Sequence, residues 1–103
     1  MVLILLNMNR VQFSLSLAST EPPAGISDYL AALWYDAKGD WESSHLRIQD
    51  VPGPMAAWIH AYLHRKEGDP GNAAYWYAKA GRNMPAEGLE KEWEKILGEL
   101  LDQ

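Results

Sequence analysis

Residues 55–67 form a segment that is apolar on nearly every side when it is drawn as an α-helix. A surface helix of a globular protein has an apolar stripe and a polar face, whereas a helix that is apolar all round is buried. This segment is therefore predicted to pack between other helices. Its polar positions form one stripe made of His60, His64 and Glu67.

The remaining helices follow from capping residues and from the spacing of apolar side chains. Ser27 or Asp28 is a suitable N-cap for one helix, Asp40 for the next, and Asp69-Pro70 for the one after residues 55–67. The last helix has one apolar stripe, and its acidic outer face carries Glu90, Glu92, Glu94 and Glu99. The prediction is an all-α fold of about five helices. A single helical domain over 27–103 would hold antiparallel hairpins at 27–51 and 54–83 and a C-terminal capping helix at 87–102.

The first 26 residues are an apolar segment followed by a proline-rich linker. Val11, Phe13, Leu15 and Leu17 alternate with polar residues, which favours an extended or irregular segment. Such a segment would lie across the helices, pair with its copy in a homodimer, or form a short first helix instead. A start at Met8 also leaves a weak secretory signal open. The apolar run after Met1 is far shorter than the roughly 20 residues that span a bilayer, so a cytoplasmic protein without membrane contact is expected.

Composition excludes several classes of protein. The 103 residues contain no cysteine, which excludes a disulfide scaffold, a zinc ribbon and a thiol nucleophile. A net charge of −5 argues against a nucleic-acid partner. Asp36, Asp40 and Glu42 cluster around the first turn between helices, which we expect to be exposed, and capping explains them better than acid–base chemistry. No complete catalytic constellation is present, so we expect a protein that is not an enzyme.

The chain contains an internal repeat. Lys38-Gly39-Asp40 and Glu67-Gly68-Asp69 each fall at a predicted turn between two helices. Helical hairpins in tandem bury their apolar faces by stacking on one another. The pattern therefore predicts two stacked hairpins.

The second hairpin resembles a known family of repeats. Gly68-Asp69, Ala73, Tyr77, Ala80 and Pro85 match the second half of a tetratricopeptide (TPR) unit, and residues 73–81 are similar to the second helix of a Sel1-like repeat. The chain is also similar to short bacterial proteins of that type, which implies a bacterial origin. The resemblance implies a fragment of a TPR-like superhelix whose concave side binds a protein or peptide partner. The matching positions serve packing and none is catalytic.

The expected function is thus a non-catalytic interaction module. One face of the fourth predicted helix carries the candidate partner-binding residues Asn72, Tyr75, Lys79 and Arg82. Aromatic rings beside cations are typical of interface anchors and suit an acidic peptide.

A metal site is the alternative. His60 and His64 are four residues apart, a spacing that lets two imidazoles on one helix face share an ion. Glu67 on the same stripe, or His45 from the preceding helix, would supply the third ligand for Zn²⁺ or another divalent metal. If there is no metal, these histidines form a polar edge bonded to neighbouring carbonyls or carboxylates, and no cofactor is expected.

Overall fold

The computed structural model describes residues 8–102, and within that range every regular element is an α-helix. The helices are α1 (Arg10–Ser16), α2 (Asp28–Ala37), α3 (Trp41–Ile48), α4 (Pro54–Lys66), α5 (Pro70–Ala80) and α6 (Leu89–Leu101). The all-α prediction is confirmed. None of these helices is long and apolar enough to cross a bilayer. Residues 1–7, which begin the predicted N-terminal segment and contain the apolar run after Met1, lie outside the described range.

The two hairpin turns have nearly the same backbone. Gly39 lies between α2 and α3 with a φ of 83°, and Gly68 lies between α4 and α5 with a φ of 87°. In each turn the next residue is an N-cap: the carboxylates of Asp40 and Asp69 accept hydrogen bonds from backbone N–H groups at 3.0 and 3.2 Å. A left-handed glycine followed by an aspartate cap reverses the chain within a few residues. The repeat in the sequence is therefore also a repeat of backbone geometry.

The N-terminal segment forms the short first helix that the sequence left open, and not the extended or irregular stretch that the alternation favours. Residues 10–16 form α1 instead of an extended or irregular stretch, so the described residues contain six helices and not about five. Asn9 and Gln12 make a capping box in which each side chain accepts the other's backbone N–H, at 2.8 and 2.9 Å. Phe13 is fully buried, with its ring centroid 6.1 Å from that of Trp93 on α6. A cap and one buried aromatic ring thus outweigh the alternating pattern.

The helix α4 lies at the centre of the packing, in contact with α2, α3, α5 and α6. All its residues from Ala56 to His64 are buried, which confirms that the apolar segment packs between other helices. The helix α6 packs against α2 and α4, and α1 packs against α6. The face of α4 that bears His60 and His64 is turned toward α3 and α5, where the candidate site lies.

Glu92 was expected on the exposed acidic face of the last helix, and this prediction is wrong. Its side chain is 1% exposed. One carboxylate oxygen accepts a hydrogen bond from Arg65 at 2.7 Å, and the other accepts from the Trp58 indole at 3.1 Å and the Tyr77 hydroxyl at 2.6 Å. Buried donors need acceptors, and Glu92 supplies them to α4 and α5 at once. The residue therefore fastens α6 to both helices of the second hairpin.

Candidate metal centre

Three histidines from two helices meet on one side of α4, and we call them the histidine cluster: His45 of α3, and His60 and His64 of α4. The Nε2 atoms of His45 and His60 are 2.9 Å apart. One ring nitrogen of each residue lies within 4.8 Å of the other two. His60 and His64 are buried, and His45 is half-buried. The sequence offered two candidates for the third ligand, Glu67 and His45. The structure brings His45 within reach of both histidines on α4.

Aromatic rings hold the histidine cluster in place. The Trp41 ring stacks on His45 with 4.8 Å between centroids and 10° between planes. The Trp76 ring of α5 stacks on His60 at 3.9 Å and 19°. The Trp41 indole N–H donates to the Leu63 carbonyl at 2.7 Å, which fixes that ring in turn. Packing of this kind restricts the rotamers of the imidazoles before any ligand arrives.

Burial and mutual proximity favour the neutral form of two of the three histidines, His45 and His60. The pKa of His60 is lowered to about 4, chiefly because burial penalises the charged imidazolium, and secondarily because His45 and His64 lie close. Burial and then His64 also lower the pKa of His45, against a smaller opposing effect of Glu67. A neutral imidazole is the form that offers a lone pair to a metal ion. His45 and His60 are therefore uncharged at neutral pH, and both can offer Nε2 to an ion once the proton of their shared hydrogen bond moves to Nδ1.

Glu67 lies beside the cluster. Its Oε2 accepts a hydrogen bond from Nδ1 of His64 at 2.7 Å, so Nε2 is the nitrogen that His64 keeps for coordination. Carboxylate–histidine pairs of this kind fix the tautomer and orientation of metal ligands. Of the predicted ligands His60, His64 and Glu67, the two histidines converge with His45. Glu67 instead orients His64 through a hydrogen bond.

The ligand type of the cluster, and the spacing of His45 and His60, suit a transition-metal ion. Imidazole is a good ligand for Zn²⁺, Cu²⁺ and Ni²⁺, whereas Mg²⁺ and Ca²⁺ prefer oxygen. Tetrahedral coordination with Zn–N bonds of about 2.0–2.1 Å places two ligand nitrogens about 3.3 Å apart. The two Nε2 atoms that now share a hydrogen bond at 2.9 Å need to separate by only about 0.4 Å to reach that geometry. An ion would replace the hydrogen bond between His45 and His60.

The predicted partner-binding residues fall into separate surroundings. Tyr75 is 55% exposed, and the Lys79 ammonium lies 5.5 Å from its ring centroid. The Arg82 guanidinium instead lies 3.4 Å from the ring centroid of Trp58 and pairs with Glu99 of α6. The backbone N–H of Asn72 is a donor to the Asp69 cap. Tyr75 and Lys79 therefore contact one another, whereas Arg82 contacts Trp58 and Glu99 and Asn72 adjoins the Asp69 cap, and all four predicted residues are exposed.

A second set of polar side chains, Asp36, Tyr62 and Lys66, lines an open cleft of about 910 Å³ between α2, α4 and α6. Asp36 is 4% exposed there, although the sequence placed it at an exposed turn. Its carboxylate accepts hydrogen bonds from the Tyr62 hydroxyl at 2.7 Å and from Lys66 at 2.8 Å. Burial, reinforced by the bond to Asp36, raises the pKa of Tyr62. These groups satisfy one another, and the network ties α2 to α4.

No protein-family model, curated protein or solved structure matches this chain. The resemblance to TPR and Sel1-like repeats, the bacterial origin and the cytoplasmic location stay predictions.

Proposed function

We propose that this chain is a small helical metal-binding protein that holds one divalent transition-metal ion, of which Zn²⁺ is the reference case. The carrying observation is the convergence of His45, His60 and His64, with one nitrogen of each within 4.8 Å of the others. These are all the histidines of the chain. The stacked tryptophans and the pairing of Glu67 with His64 are the supporting features expected around a preorganised site.

Calorimetric titration of Zn²⁺ into the metal-free full chain tests this proposal. We expect one equivalent to bind, His45→Ala to weaken binding at least tenfold, and Glu67→Gln to weaken it by about 10- to 100-fold because His64 loses its orienting partner. His45 is the preferred target because it is half-buried, and circular dichroism checks that each variant stays helical. Glu90→Gln, an exposed change elsewhere, is the matched control. Failure of the wild-type chain to bind Zn²⁺, or equal affinity of wild type and His45→Ala, would refute the proposal.

We also propose, as a second function, that the Tyr75–Lys79 surface binds an acidic peptide or protein segment. A tyrosine that is 55% exposed beside an ammonium group is the observation that favours it. We propose that the two hairpins and the C-terminal helix are arranged as in a TPR-like fragment, the architecture in which we expect such binding. The ammonium group pairs with a carboxylate, and the neighbouring tyrosine offers apolar contact area and a hydroxyl group for a hydrogen bond.

Affinity capture from the native host followed by mass spectrometry, repeated with Tyr75→Ala/Lys79→Ala, tests this second function. We expect the double variant to lose partners that the wild type keeps. Lys91→Ala is the matched control, because Lys91 is an exposed lysine on α6 and not on α5. Identical sets of captured proteins, or none with the wild type, would show that the surface is not a binding site.

The homodimer through the N-terminal segment stays a prediction. Val11 and Leu15, one turn apart on α1, are 66% and 71% exposed, so the helix presents an apolar face to solvent. Light scattering of the wild type and of Leu15→Lys gives the oligomeric state. A dimer that dissociates in the variant is the expected result, and a monomeric wild type would rule the homodimer out.

A further inference from the structure

Among the described residues, the histidine cluster provides three ligands for an ion, and no fourth side chain belongs to the same group. Groups of at least three metal-ligating side chains within 4.8 Å of one another occur twice in the part of the chain that the structure describes: His45 with His60 and His64, and His64 with Glu67 and Asp69. The two groups share only His64. Tetrahedral sites with four protein ligands are closed, whereas sites with three keep a position for an external ligand.

The net charge of an ion with three neutral ligands favours an anion as the external ligand. Three imidazoles coordinate as neutral groups, so a divalent ion would bring two positive charges into a half-buried pocket. Glu67 bonds to Nδ1 of His64, so its carboxylate compensates this charge from outside the ligand set. Uncompensated charge in a partly buried place is costly. An anionic ligand at the free position lowers that cost.

The histidine cluster borders open space on the α3 side, through His45. A cleft of about 350 Å³ is lined by Trp41, Glu42, Ser43, His45 and Leu46. His45 is thus the member of the cluster that borders open space, and the other two are buried. The exposed carboxylate of Glu42 faces the same cleft, so a small monoanion enters against less repulsion than a phosphate dianion does.

We propose that the ion held by His45, His60 and His64 keeps one exchangeable coordination position, open toward the α3 cleft, and that a small carboxylate occupies it. This inference rests on the proposed metal-binding function and adds a ligand to it. The site is then a receptor for a metal–carboxylate pair and not a closed structural site.

Visible absorption of the full chain loaded with one equivalent of Co²⁺ is the test, because the d–d bands of Co²⁺ report its coordination. Titration with acetate at constant ionic strength is expected to shift the bands saturably while one equivalent of cobalt stays bound. Perchlorate at the same ionic strength is the control for screening, because it coordinates metal ions very weakly. Glu42→Gln is expected to tighten acetate binding by about threefold because it removes a like charge from the cleft.

Glu67→Gln separates the open site from a closed one. If Glu67 rotates to become the fourth ligand, the wild-type bands ignore acetate and only the variant responds, which would overturn the inference. Cobalt bands that acetate leaves unchanged in both proteins would overturn it as well, although the metal-binding function would stand. Absence of any bound cobalt would remove both the function and the inference.

Discussion

At the scale of single residues, His60 makes the metal-free protein sensitive to acid. Its pKa is about 4 in the folded chain, against 6.5 for the free side chain. Between these two values the unfolded chain binds more protons, so stability is complete above about pH 6.5 and falls as the pH drops toward 4. The groups that contact His60 are the imidazoles of His45 and His64 and the ring of Trp76, and Glu67 is bonded to His64.

We expect the unfolding free energy of the metal-free chain to fall by about 2 kcal/mol between about pH 7 and pH 5 through His60 alone. Urea unfolding in the presence of a chelator measures this change. His60→Gln keeps a hydrogen-bonding side chain that does not titrate, so its loss over the same range is expected to be smaller by that amount. Equal slopes for the two proteins would show that His60 is not the buried group described above.

Replacement of Glu92 by glutamine is expected to be costly. The change leaves the partly buried Arg65 guanidinium without its carboxylate, and breaking a buried ion pair in this way costs about 3 kcal/mol. Urea unfolding again gives the value. Glu94→Gln on the same helix is the control, because Glu94 pairs with Arg10 at an exposed position and its loss should be small. Similar losses for both variants would contradict the special role of Glu92.

The contrast between these residues shows where sequence reasoning stops. His60 and His64 could be paired from their spacing on one helix, but the choice of His45 over Glu67 needed the packing of α3 on α4. Glu92 looks like its neighbours in the sequence, and only the convergence of Trp58, Arg65 and Tyr77 separates it from them. The sequence did contain a signal for a buried acceptor. Arg65 and Trp58 lie on a helix that was predicted to be buried, and their N–H groups require acceptors there.

At the scale of elements, the two glycines around Asp69 should respond oppositely to the same substitution. Gly68 has a φ of 87°, and alanine in that left-handed turn is expected to destabilise the protein by about 1 kcal/mol. Gly71 lies inside α5 with open space where the Cβ of an alanine would point, so alanine there is expected to stabilise by about 0.5 kcal/mol. Thermal unfolding of both variants checks the signs. Two changes of the same sign would contradict the turn geometry.

Helix boundaries followed from local signals more reliably than the N-terminal segment did. Asp40 and Asp69 cap α3 and α5 as predicted, because an N-cap hydrogen bond depends only on residues a few positions apart. The helix α1 depends on Phe13 reaching Trp93, which is 80 residues away in the sequence and 6.1 Å away between ring centroids. The alternation of apolar and polar residues is a local pattern and cannot predict a contact between such distant residues.

At the scale of the whole molecule, a metal ion would join the two hairpins, since His45 belongs to the first and His60 and His64 to the second. Binding to the folded state alone stabilises it by about 2.7 kcal/mol when the free ligand is a hundredfold above its Kd. For a chain of this size that corresponds to a rise in Tm of more than about 10 °C. Scanning calorimetry with and without Zn²⁺ measures the rise, and His45→Ala should lose most of it. An equal rise in both proteins would place the ion elsewhere.

X-ray absorption at the zinc edge of the loaded full chain tests the central claim most directly. The account predicts three imidazole nitrogens at about 2.0–2.1 Å with one further light atom in the first shell. A shell of oxygen atoms with one imidazole or none would contradict it, because the ion would then bind surface carboxylates and not His45, His60 and His64.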